Sequence, residues 1–163
     1  MERIKFIELT QGQYAIVDED MFEELNKRTW GAHSQGYALT SLSGGGGRKV
    51  FMHRIIMRCK HEERIDHING DVTDNRVCNL RICNHQENAQ NRKIGKNNTS
   101  GYKGVSWCKK QKGWRARLYP KSGSVFAGIY NDKVSAAKAY DAAAKKLFGK
   151  FAKLNFPEET SCD

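Results

Sequence analysis

No apolar run in this chain of 163 residues approaches the roughly 18 needed to cross a bilayer. Its opening, Met1-Glu2-Arg3-Ile4-Lys5, leads into no signal-peptide core. These absences predict a soluble, cytoplasmic protein with no membrane partner. Paired cysteines are missing too. Cys59, Cys78, Cys83, Cys108 and Cys162 are odd in number and irregularly spaced, with no Cys-x-x-Cys among them. A disulfide framework is disfavoured and reduced thiols are expected. Asn-x-Ser/Thr matches at Asn97 and Asn98 carry no weight without a secretory route.

Acidic residues are scarce in one stretch. Between Gly101 and Pro157, thirteen Lys/Arg stand against only Asp132 and Asp141, in a chain whose formal charge is +10. The positive excess therefore belongs to that segment, and the rest of the chain is close to neutral. A basic surface of this size most often meets nucleic acid, and no basic amphipathic helix supports a membrane surface instead.

What the chain does contain falls into three regions. Short alternating runs, Ile4-Lys5-Phe6-Ile7, Tyr14-Ala15-Ile16-Val17, Gly36-Tyr37-Ala38-Leu39 and Lys49-Val50-Phe51-Met52, predict strands and hairpins, with a glycine tetrad, Gly44 to Gly47, before the last. A short helix is expected over Asp20 to Asn26, capped by Asp18 or Asp20, and another from His53 through Met57. Lys93-Ile94-Gly95-Lys96-Asn97-Asn98 has neither helical nor strand period. The expected division is a domain over 1–91, a linker over 92–100, a second domain over 101–157 and a tail over 158–163.

The middle region concentrates polar chemistry. Ile65-Asp66-His67-Ile68-Asn69-Gly70-Asp71 holds two carboxylates, an imidazole and an Asn-Gly turn. Asp74-Asn75-Arg76 then leads to a short strand, Asn79-Leu80-Arg81-Ile82. Asn84-His85-Gln86-Glu87 comes next as a capping box opening a helix through Asn88, Asn91 and Arg92. An EF-hand is excluded, because Ile68 and Val77 occupy the third and twelfth positions counted from Asp66. Structural zinc is disfavoured, since Cys59, His61, Cys78, Cys83 and His85 lack paired ligand spacing. A polar hairpin with an incidental His67 stays open beside a hard-metal phosphodiesterase site. Such a site needs oxygen ligands, an imidazole to activate water, and coordination positions for the phosphate. Neighbours in a regular strand point to opposite faces, so Asp66 and His67 share a site only if the strand twists or ends there. The Asn69-Gly70 turn supplies such an ending.

In order along the chain, Met52-His53-Arg54-Ile55-Ile56-Met57, Asp66-His67-Ile68-Asn69-Gly70, Asn75-Arg76, Asn79-Leu80-Arg81 and Glu87-Asn88 resemble the HNH endonucleases, in particular the phage and intron-encoded homing type. The resemblance covers nearly the whole chain. It implies an α+β fold in which small N-terminal strands precede a ββα-metal (His-Me finger) core over 64–92. It implies Asp66 and Asn88 as ligands of one divalent cation, Mg²⁺ or Mn²⁺. His67 would be the general base, grouped with Asn79, the asparagine that ties the two strands together, and with His85, a third contact one helical turn before Asn88. His53 and Arg54 are expected to brace the fold or touch phosphate. The implied products carry 5′-phosphate and 3′-hydroxyl ends, and one site per chain suits a monomer.

Tyr102 to Trp107, Trp114 to Tyr119 and Val125 to Tyr130 predict three antiparallel strands separated by Gln111-Lys112-Gly113 and Lys121-Ser122-Gly123 turns. In the second, alternation places Trp114, Ala116 and Leu118 on one face and Arg115, Arg117 and Tyr119 on the other. A helix over Lys133 to Phe148, capped by Asn131 or Asp132 and ended at Gly149, would present Ala136, Ala137, Tyr140, Ala143, Ala144 and Leu147 to the sheet. Tyr102-Lys103-Gly104-Val105, the Ala-Ala-x-Ala-Tyr-Asp run at Ala136 to Asp141, and the closing Ala152-Lys153-Leu154-Asn155-Phe156-Pro157 resemble the Apetala-two or ethylene-response-factor type of DNA-binding domain. The resemblance implies a three-stranded sheet in the major groove of double-stranded DNA, with Lys103, Ser106, Lys109, Arg115, Arg117, Tyr119 and Phe126 facing it. Ser106 and Cys108 stand where that family usually has arginine, and Arg117 where it has glutamate, so the target sequence does not carry over. Trp107 either stacks on the backbone or packs. The combined expectation is a homing-type endonuclease. A DNA-binding regulator with a degenerate nuclease, and a weakly specific phage nuclease used in packaging or host DNA breakdown, stay open.

Overall fold

Alternation near the N-terminus becomes a hairpin in the computed structural model, which describes residues 3–42, 47–92, 94–95 and 97–157. Gly44 to Gly46 of the expected tetrad and the tail over 158–163 lie outside the described residues. β1 (Ile4–Leu9) pairs antiparallel with β2 (Gln13–Asp18), and Gln11 and Gly12 make the reversal at positive φ. Ile7, Leu9, Ala15 and Val17 are buried on one face, whereas Phe6 and Tyr14 are exposed on the other. α1 (Glu19–Leu25) comes directly after β2, with Glu19 and Asp20 at the positive end of its dipole. Asp18 occupies the N-cap position without capping; its Oδ2 accepts from Val77 N at 2.7 Å instead. The buried Trp30 donates from Nε1 to Leu25 O at 2.8 Å, satisfying a carbonyl that the helix end leaves over.

β3 (Gly31–Ala32), β4 (Ala38–Ser41) and β5 (Lys49–Phe51) form an antiparallel sheet in that order. Gly36 and Tyr37, expected within a strand, precede β4 instead. Gly36 N donates to His33 O at 2.7 Å, and its φ of +89° suits a turn. α2 (Met52–Ile56) buries Met52, His53 and Ile56. β6 (Arg64–His67) and β7 (Leu80–Cys83) form a separate two-stranded ladder with Asp66 opposite Arg81 and His67 opposite Leu80. Ile7, Leu9, Trp30, Met52, Ile56 and Leu80 all join one core. Leu80 is the fully buried residue that the ladder contributes to it, with Ile65 partly buried, so these two strands lean on the N-terminal elements for stability.

The chain divides between Asn84 and His85 into two compact units. α3 (His85–Gln90) thus belongs to the C-terminal unit, whereas the sequence reading placed it in the first domain, and it stops short of the expected Arg92. β8 (Val105–Cys108), β9 (Gly113–Leu118) and β10 (Val125–Tyr130) form an antiparallel sheet with β9 central and a bulge between Phe126 and Gly128. α4 (Lys133–Phe148) begins where expected, because Asp132 Oδ1 accepts from Ser135 N at 2.8 Å, and ends at Gly149 with φ +52°. Ala136, Ala137, Tyr140 and Ala144 are buried with Val105, Ala116 and Leu118. Leu147 departs from expectation: it is 46% exposed, and Phe148 packs on the core instead. Small antiparallel sheets and separate helices make an α+β architecture. Among the described residues no helix is long and apolar enough to cross a membrane.

Candidate active site

β6 ends in a turn, as the pairing of Asp66 with His67 requires. Ile68 N donates to Asn79 O at 2.9 Å, Gly70 N donates to His67 O at 2.9 Å, and Gly70 takes φ +76°. Asp66 and His67 are consecutive yet only 7% and 4% exposed. Asp66 faces across the ladder, where Arg81 Nε and Nη2 reach its Oδ2 at 2.9 and 2.6 Å. Tyr37 connects the two positions. Its ring centroid lies 5.8 Å from that of His67, and its phenol is pushed up first by burial and then by the charge of Asp66.

A second imidazole packs against the first. The His53 ring stands edge-on to His67 with centroids 5.2 Å apart, lies 5.4 Å from Tyr37, and stacks on Phe51 at 5.5 Å. Burial first, and then the His67 and Arg54 charges, lower the pKa of His53 to about 3. Burial also lowers His67, against the opposing pull of the Asn75 side chain and of Asp66, Asp74 and Asp71. Both rings are therefore mainly neutral near pH 7, and a neutral imidazole retains a lone pair that can take a proton. Arg54 braces the chain after α2, donating to the carbonyls of Glu63 at 2.9 Å and Lys60 at 2.5 Å.

The loop between the strands is a closed polar network. Asn69 accepts from Asp71 N at 2.8 Å and donates to Asp74 Oδ2 at 2.9 Å. Asp71 Oδ1 accepts from both the amide and the hydroxyl of Thr73. Arg76 grips both oxygens of Asp74 at 2.9 and 2.8 Å. Burial raises the Asp74 carboxyl, but hydrogen bonds and charge from Arg76, with the Asn69 amide, outweigh it and leave the pKa lowered. Asn79 Nδ2 donates to Asp74 O at 2.7 Å, and its Oδ1 accepts from Asn69 N at 3.0 Å. Its amide thus fixes the loop backbone where β7 begins, which is a positioning role. Asn75 is almost wholly buried. Its Nδ2 donates to Thr73 O at 2.9 Å, but among the described residues its Oδ1 has no hydrogen-bond partner, and neither does His53 Nδ1.

Asp66, His67 and Asn79 therefore meet in one hairpin, joined by Tyr37, Asp74, Asn75 and Arg81, to which the sequence reading gave no part. Arg81 was recoverable as the opposite charge facing Asp66 in an antiparallel register. Tyr37 lies 30 positions before His67, outside any motif. His85 is exposed and Asn88 half-buried, both on α3 of the second unit. Among the described residues no three His, Cys, Asp or Glu side chains gather to hold a metal.

In the second unit, register places Ser106 beside Arg115 and Arg117 beside Phe126 on the sheet face away from α4. Arg115 Nη2 donates to Ser106 Oγ at 3.3 Å, while the buried Nε atoms of Arg115 and Arg117 have no hydrogen-bond partner among the described residues. Phe126, Tyr119 and Lys109 are exposed. Trp107 packs edge-on against Trp114, with centroids 5.3 Å apart. Lys103 does not share that face's freedom: its Nζ donates to the carbonyls of Gln90 and Arg92.

Two known proteins are similar to this chain. "Protein 3.8" of Escherichia phage T7 is 47% identical over 54 residues, which cover 33% of this chain and 45% of the phage protein. The chain thus spans less than half the length of that relative. No family model matches, and no solved structure does. "Uncharacterized HNH endonuclease L560" of Acanthamoeba polyphaga mimivirus is 28% identical over 151 residues, covering 89% of this chain and 76% of that protein, so the similarity to a protein named as an HNH endonuclease runs through both units.

Proposed function

We propose that the protein is a metal-dependent DNA endonuclease of HNH type, of the homing kind, in which His67 activates water. The buried, mainly neutral His67 at the end of β6, consecutive with the buried Asp66, carries this reading. The donor chemistry suits a hard cation: Asp66 offers carboxylate oxygen, Asn88 carboxamide oxygen, and Asn75 Oδ1 is a further buried oxygen with no hydrogen-bond partner among the described residues. Asp66 and Asn88 would be the ligands of a divalent cation, Mg²⁺ or Mn²⁺, which when bound would supply charge stabilisation at the phosphate and the leaving 3′ oxygen.

The protein's own groups do the rest. His67 takes a proton from water as its oxygen attacks phosphorus, and the bond from phosphorus to the 3′ oxygen breaks, giving 5′-phosphate and 3′-hydroxyl ends. His53 and Tyr37 restrict the plane of the His67 ring, while Asn79 fixes the turn that brings it inward. His85, one turn before Asn88, is assigned a third contact. Double-stranded DNA is bound through Ser106, Arg115, Arg117 and Phe126, with Tyr119 and Lys109 at the rim, by a monomer.

The test compares wild type with His67→Ala on plasmid and short duplex DNA in Mg²⁺, Mn²⁺ or EDTA, with affinity measured by fluorescence anisotropy. Cleavage should require metal and fall by about 10²- to 10⁴-fold in the variant while affinity holds. Equal loss of cleavage and affinity overturns the role of His67. End mapping on both strands separates site-directed cutting from indiscriminate breakdown.

A further inference from the structure

We propose that Lys103 is a positioning residue that latches α3, and with it Asn88, onto the C-terminal unit, and that it does not contact DNA. This rests on the assignment of Asn88 as a metal ligand. α3 has six residues, none of them fully buried. A helix so short is not stable by itself and must be held by tertiary contacts. Lys103 Nζ supplies one, donating to Gln90 O at the last turn of α3 and to Arg92 O, 2.8 Å away, just beyond it. Carbonyls there lack intrahelical donors, and a cation at that end also meets the negative pole of the helix.

Lys103 is itself held from behind. Its amide donates to Asn155 Oδ1 at 2.6 Å, and its carbonyl accepts from Asn155 Nδ2 at 3.2 Å. Asn155 is fixed in turn by the buried Asp141 of α4, whose carboxylate accepts from Asn155 N at 2.8 Å, Asn155 Nδ2 at 3.0 Å and Phe156 N at 2.9 Å. A continuous chain of hydrogen bonds thus runs from α4 through Asn155 and Lys103 to α3. The unit that carries the basic sheet also holds the helix that carries Asn88, so DNA reading and ligand placement are joined in one body. A lysine committed to two carbonyls is a poor candidate for a phosphate contact.

Lys103→Met, Lys103→Gln and Lys103→Arg in the full chain test this, read by amide hydrogen exchange, by Mg²⁺ titration of cleavage, and by DNA affinity against salt. In Lys103→Met, exchange over residues 85–92 should accelerate about tenfold, the equivalent of one charge-assisted hydrogen bond, while β9 amides stay unchanged. Half-maximal cleavage should need about tenfold more Mg²⁺, with DNA affinity and its salt slope unaltered. Lys103→Arg should restore both, because a guanidinium can also donate to two carbonyls, and Lys103→Gln gives an intermediate loosening if the methionine variant fails to fold. Unchanged exchange over 85–92 overturns the latch, and so does equal acceleration in β9. Weaker DNA binding with a salt slope smaller by about one makes Lys103 a phosphate contact and also overturns it. Exchange needs no catalysis, so a wild type that cleaves no DNA would sink the endonuclease reading while the latch is still judged.

Discussion

Arg81 and Asp66 face each other as cross-strand partners, and the guanidinium Nη2 lies 2.6 Å from the carboxylate Oδ2. Their side chains are only 11% and 8% exposed. Removing one member of a buried pair strands the other charge, at a cost of about 3–5 kcal/mol, comparable with much of a small domain's total stability. Arg81→Met should therefore lower the unfolding free energy by about 3 kcal/mol in urea titrations. Arg81→Lys keeps the charge but gives up the planar fork, and should recover only part of the loss. A methionine variant as stable as wild type would show that the pair contributes nothing to the hairpin.

Asp74 sets an acid limit on stability. Its folded carboxyl is held below the ordinary value of 3.8. A group shifted that way favours the folded state fully above its unfolded pKa, and the benefit disappears as pH falls through the lowered folded value. Asp74→Asn should be less stable than wild type near pH 7, and the gap should narrow as the pH is taken below the ordinary carboxylate range. Urea midpoints measured across that range provide the check; a gap that stays constant would remove Asp74 as its source.

Local signals made the C-terminal helix legible. Asp132 can satisfy an orphan amide and Gly149 can take positive φ, so both ends of α4 are set by side-chain chemistry one or two residues away. The faces of β9 emerge from alternation alone. Asp18 shows where such reasoning stops: its cap position is correct, but its carboxylate serves Val77, 59 residues further on. Leu147 satisfies the helical period yet is exposed, and Phe148 packs on the core instead. In the candidate site Asp66, His67 and Asn79 were legible because a turn and a short ladder fix them. Tyr37 and Asn75 were not, because tertiary packing brings them in. The allegiance of α3 was hidden for the same reason, since Lys103 and Asn155 lie far from it in sequence.

Gly104 records how closely the C-terminal sheet and helix approach. A Cβ there would lie 2.1 Å from Tyr140 Cε2 and 2.7 Å from Arg117 O, at a φ of +72°. Tyr140 has no easy retreat, being buried, with burial and then Asp141 pushing its phenol up to about 12. Gly104→Ala should cost about 3 kcal/mol, from backbone strain plus overpacking. Gly101→Ala, at φ +80° with open space, isolates the backbone contribution and should cost about 1 kcal/mol. Equal melting temperatures for the two variants would show that Tyr140 yields.

Arg117 and Lys109 should affect DNA binding in different ways. Arg117 lies on the central strand beside the exposed Phe126, and its buried Nε has no hydrogen-bond partner among the described residues. An unpaired buried donor is costly alone and gains most from an acceptor brought by a ligand. In the proposed binding mode, with the sheet in a groove, that acceptor would be a base edge, and Arg117→Ala should reduce discrimination between preferred and unrelated duplexes by about 1–3 kcal/mol. Lys109 lies just past the end of β8 and is exposed, where a phosphate contact adds affinity without sequence information. Lys109→Ala should weaken binding to all duplexes alike and reduce the salt slope by about one. Competition binding at several salt concentrations reads both quantities at once. Identical behaviour of the two variants would contradict a sheet seated in a groove, because a central arginine would then see no more of the bases than a lysine at the rim.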